Sequence, residues 1–148
     1  MKKLAILMIF ILLCPLALAN EVYVLDHKSK TSPNIVISKI EITDDSTIVS
    51  MTYHATTSTE AGLHRPDSPL GYVILDVNSK RVYSMIGAEG MSIRPQTTAI
   101  EAGQSLTFKV IFERINTNHF HVIEGRPQHR DSSETFWDFT NIKLQKRD

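Results

Sequence analysis

Across residues 105–114 apolar and polar side chains alternate: Leu106, Phe108, Val110 and Phe112 take every second position, with Thr107, Lys109 and Glu113 among the residues between and after them. Successive side chains point to opposite faces of an extended strand, so this run has one apolar and one polar face; a helix would scatter the same four apolar residues around its circumference. Such a strand is stable when its apolar face is covered by another layer. The same period of two recurs in residues 47–54, where Val49, Met51 and Tyr53 face one way and Ser50, Thr52 and His54 the other. Beyond residue 19 the chain has no sustained repeat of apolar residues at three- and four-residue spacing. The pattern therefore predicts an all-β chain and argues against helical and βαβ architectures.

Isoleucine-rich residues 35–43 predict a further strand, joined to the 47–54 strand through Asp44-Asp45-Ser46, whose short polar side chains favour a tight turn. Residues 71–77 and 81–86 flank Asn78-Ser79-Lys80 and predict a second hairpin, with Asn78 taking the turn geometry. Residues 21–26, 120–123 and 136–144 supply the remaining strands, whereas 56–69 and 125–133, polar and interrupted by proline, read as long loops. About seven or eight short strands without intervening helices predict an immunoglobulin-like antiparallel β-sandwich, a closed barrel being the alternative. Gly87 and Gly90 would let the chain change sheets. Trp137 and Phe139 alternate as core residues packed between sheets, and the shift in parity after Phe139 predicts a bulge before Ile142 and Leu144.

The N-terminus has the three parts of a secretory signal: basic Lys2 and Lys3, an apolar run over residues 4–13, and small residues at Ala17 and Ala19. Cleavage is expected after Ala19, which divides the chain into a leader, 1–19, and one β-sandwich domain, 20–148. The apolar run falls short of the roughly 20 residues of a membrane span, and no later stretch is long and apolar enough, so no transmembrane segment is expected in the mature chain. The product is expected in the periplasm or outside the cell. Attachment as a lipoprotein through Cys14 is the alternative, disfavoured because bulky Leu13 stands where a small residue is normal. Cys14 is the chain's single cysteine, so the mature domain is expected to have neither a disulfide nor a thiolate nucleophile. Without Lys2 and Lys3 the even balance of 16 basic and 16 acidic residues becomes an excess of two acids, and no basic stripe marks a nucleic-acid binder.

Late in the chain Gly87-Ala88-Glu89-Gly90, the 106–112 strand, Phe120-His121-Val122-Ile123-Glu124-Gly125 and Trp137-Asp138-Phe139 follow in a fixed order. Together they resemble a β-sandwich module of bacterial envelope proteins that often precedes a thioredoxin-like domain, the resemblance covering residues 35–144. The chain contains no Cys-x-x-Cys motif. The resemblance thus implies a non-catalytic domain.

His119 and His121, two apart in an expected strand, would project from one face about 7 Å apart, a spacing that admits a metal ion with His129 or Glu124 as third ligand. A solvated polar face is the simpler reading of the same alternation. Gly-x-Ser-x-Gly, Ser-x-x-Lys and His-Glu-x-x-His motifs are absent, and the glycines at 87 and 90 lack the Lys-Ser/Thr of a phosphate loop. No catalytic residue and no cofactor is expected. The expected function is that of an exported interaction or accessory module, with an envelope protein or glycan as partner and the loop bearing His64, Arg65 and Asp67 as contact surface. Two alternatives are a metal-dependent or hydrolytic envelope enzyme using His119 and His121, and a structural or adhesive subunit assembling through edge strands.

Overall fold

The computed structural model describes residues 20–132 and 135–145; the expected leader with Cys14 lies outside them. Ten strands follow in order: β1 (Glu21–Lys28), β2 (Ile35–Ile42), β3 (Ser46–His54), β4 (Thr59–Ala61), β5 (Tyr72–Asp76), β6 (Val82–Glu89), β7 (Thr98–Ile100), β8 (Ser105–Glu113), β9 (His119–Glu124) and β10 (Phe139–Lys143). Among the described residues the helical content is one 3-10 turn, Pro127–His129. The chain is all-β, and its strand pairs are antiparallel.

Eight strands form one sheet in the order β1-β2-β3-β8-β6-β5-β9-β10, and β4 pairs with β7 in a separate ribbon. A sandwich would divide these strands between two sheets; here the hydrogen bonding is continuous through β6. Val82, Tyr83 and Ser84 pair with β5, and from Met85 onward the strand pairs with β8. A bulge between Met85 and Gly87 bends the strand where it changes partners. Gly90 closes the strand at φ 85°, a conformation costly for a residue with a Cβ. The sheet curls until its edges approach: His27 Nε2–H donates to the Thr140 carbonyl (2.9 Å), and the Ser29 hydroxyl and Lys30 N–H donate to the Asp138 carbonyl (both 2.8 Å). Further along, β1 and β10 diverge around a groove of about 580 Å³ bordered by residues 21–25, Lys143 and Gln145.

The alternation in β8 places Phe108, Val110 and Phe112 in the core, where Val49 and Met51 of β3 join them. Removing each such side chain from water contributes about 1.5–3 kcal/mol. In β2 a register shift between Ile37 and Lys39 reverses the parity, so Ile35, Ile37, Ile40 and Ile42 are all buried; without it the last two would face outward. The expected bulge in β10 is present between Phe139 and Ile142, with Asn141 at φ 57°.

Three details differ from the sequence reading. Residues 56–69 contain β4, a strand of three residues whose partner β7 is equally short. In the β5–β6 turn, Lys80 rather than Asn78 takes positive φ, at 63°, because the Asp76 carboxylate accepts the N–H groups of Asn78 (2.8 Å) and Ser79 (3.2 Å) and holds those residues in the preceding turn. Residues 125–132, read as a loop, contain the 3-10 turn Pro127–His129.

Candidate functional site

Phe120, Val122 and Glu124 occupy alternate positions of β9 and share its inward face. The first two are core residues, so period two carries an ionisable carboxyl onto the same face one step later, where it is 6% exposed. Tyr72 lies directly opposite on β5. It is 1% exposed, and its hydroxyl has no hydrogen-bond partner among the described residues.

The β9–β10 ladder pairs Val122 with Phe139; one step beyond, side chains take over from the backbone. Trp137 N–H donates to Glu124 Oε2 (3.0 Å), and Glu124 N–H donates to Asp138 Oδ1 (3.3 Å). Asp138 is held in turn by Arg130, whose Nη1 and Nη2 donate to its two oxygens at 2.7 and 2.6 Å while Nη2 also donates to the Gly125 carbonyl (3.2 Å). Gly125, at φ 76°, allows the chain to leave β9 against Leu70, and the 3-10 turn brings Arg130 back beneath the strand end. On the other side, Thr31 Oγ1 donates to the Phe136 carbonyl and accepts the Asp138 N–H (3.1 Å).

Trp137 spans the mouth of the curled sheet. Its ring stacks on Tyr53 at the end of β3, with centroids 5.3 Å apart, and leans on Phe108 of β8 at 6.3 Å. The β4–β7 ribbon stands beside it, and the connection from β6 to β7 supplies Arg94, whose Nε donates to the Gly62 carbonyl (3.0 Å). Tyr53, Glu60, Arg94, Glu124 and Trp137, with the hydroxyl residues Ser32, Thr59 and Thr135, line an open cleft of about 290 Å³. Barrel mouths are common ligand sites, and a few polar groups converging beside aromatic walls are their usual chemistry.

Burial pushes the Glu124 carboxyl up to about 7. The Trp137 N–H and the charges of Arg94 and Arg130 oppose the rise, and Asp138 adds to it. Glu124 can therefore present either a carboxylic acid or a carboxylate at neutral pH. Burial, reinforced by the charges of Glu124 and Asp138, raises the Tyr72 phenol well above its ordinary value and keeps it neutral.

The histidines singled out from the sequence do not converge. His119 and His121 are half-buried on the face of β9 opposite Phe120 and Val122. His121 Nδ1 accepts the Asn141 N–H (2.9 Å), leaving that nitrogen unprotonated. Burial, with the charges of His119 and Lys80, holds its imidazole below the ordinary value. His129 instead borders a second cleft of about 270 Å³ together with Asp67 and Tyr72. Among the described residues, no group of three or more His, Cys, Asp or Glu is placed to hold a metal. In the 64–67 loop Arg65 and Asp67 are exposed and bind each other in a two-point ion pair (3.0 and 2.9 Å), while His64 is half-buried.

Glu124 was legible as a motif residue, and its place after Phe120 and Val122 in the alternation marks it as inward-facing. Arg94 carried no such signal, since it reaches the cleft through an irregular connection. No family model, curated protein or solved structure matches the chain.

Proposed function

We propose that this chain is an exported, non-catalytic binding module of a bacterial envelope, and that the mouth cleft is its contact site. The all-β antiparallel fold and the late motifs that resemble an envelope module support the reading. The observation that carries the reading is Glu124: a carboxyl in the core register that is nevertheless open to a cleft with an aromatic wall and a guanidinium. Glu124 also ties β9 to Trp137, but an ionisable group set at a pocket where its burial weakens the fold points to recognition as well.

The reading is tested by affinity capture from native envelope extracts, with Arg94→Glu beside the unaltered chain. Arg94 is exposed, so the variant is expected to fold normally while losing at least tenfold of the captured partner. Equal capture by both proteins would contradict the cleft as contact site. The mass of the exported chain, expected to begin at Asn20, tests the export half of the reading.

A further inference from the structure

We propose that the mouth cleft takes a neutral, hydroxyl-rich ring, a single pyranose unit of a glycan. This rests on the cleft being the binding site and goes further by naming the ligand's chemistry. The charges of the lining residues narrow the class. The lining carries charges of both signs, Glu60 and Glu124 against Arg94, so an ion of either sign meets a like charge as well as an opposite one. A polyhydroxylated ring meets no such repulsion. Its hydroxyls need partners that both give and accept protons, and Ser32, Thr59 and Thr135 supply hydroxyls of that kind. Arg94 adds donors, and Glu124 accepts when ionised and can donate when protonated.

The remaining wall suits the other half of a sugar. A pyranose has an apolar face of C–H groups, and Tyr53 and Trp137, stacked on each other, give the cleft an aromatic side for it. The Glu124 side chain holds the Trp137 backbone, and packing on Tyr53 and Phe108 holds its ring, so the aromatic and polar parts of the lining are in place before the ligand arrives. At about 290 Å³ the cleft lies at the small end of ligand pockets, room for one ring with its chain continuing into solvent.

Trp137 is the chain's one tryptophan, so its fluorescence reports on the cleft wall without interference. The experiment titrates the protein with N-acetylglucosamine and methyl glucoside, and in parallel arms with methylamine and acetate, following Trp137 emission and saturation-transfer NMR of each probe. Saturable binding of at least one sugar is expected, with no saturable effect of methylamine or acetate. Arg94→Ala should weaken the sugar about tenfold or more, the loss of a hydrogen bond to a charged donor. Saturation by methylamine or acetate but not by sugar would overturn the ligand class while leaving the cleft as a binding site. If neither readout shows any probe binding, the class falls; whether the contact site falls with it is decided by Arg94→Glu, which then either still abolishes partner capture or does not.

Discussion

Glu124 holds its proton more tightly in the folded chain, near 7, than the ordinary 4.5 of a glutamic acid. For this group stability is therefore greatest below about pH 4.5, falls as pH rises from 4.5 to 7, and is level above that window. At about 1.4 kcal/mol per pH unit, ionisation costs the fold roughly 3 kcal/mol by pH 8. Glu124→Gln retains an acceptor for the Trp137 N–H and removes the titration. Urea unfolding at pH 5 and pH 8 should show the variant more stable than the parent by about 1–3 kcal/mol at pH 8, with this component of the pH slope gone; an unchanged slope would show that Glu124 is not the group responsible. The position of Glu124 was readable from parity alone, because 120, 122 and 124 must share a face. Its elevated affinity for a proton was not, since that depends first on burial by the folded sheet and then on the charge of Asp138, which is no sequence neighbour.

The end of β9 and the start of β10 are joined by side chains where the backbone ladder stops, and the Glu-Gly and Trp-Asp motifs are the residues that do it. Glu124 and Trp137 continue the register set by Val122 and Phe139, and Asp138 completes the exchange with Arg130 as its counterion. Both charged groups are largely buried, so removing one strands the other. Asp138→Ala is expected to cost about 3 kcal/mol or more and to increase amide exchange at Phe139 and Val122 before the rest of the sheet. A loss below about 1 kcal/mol would mean that the pair contributes little to holding the strands. Strands with several alternating residues, such as β3 and β8, were legible because each repeat reinforces the pattern. β4 and β7 were not: three residues span too little of a period-two pattern to be distinguished from loop, and they are strands because they pair with each other. The β10 bulge was legible because the apolar parity changes on either side of it.

At the scale of the molecule, the alternation identified an antiparallel all-β chain but not how its strands join, because the same inward faces would serve two sheets or one. β6 decides that by pairing with β5 along its first part and β8 along its second, so the core is enclosed by one sheet that bends back on itself. This architecture leaves two places where a partner could engage. One is the mouth cleft; the other is the seam, where β1 borders the groove and, among the described residues, exposes Val22 at 53% and Val24 at 65%. Unprotected edges invite strand pairing with a second copy, so the two places imply different kinds of protein. Position-specific photo-crosslinking in the native envelope separates them: a photoreactive side chain replaces Glu60 at the cleft rim in one protein and Val24 on β1 in another. Adducts to a non-identical partner from position 60, with none from position 24, are the expected result for a binding module that works through its mouth. Adducts from position 24 to a second copy of the chain, with position 60 silent, would contradict it.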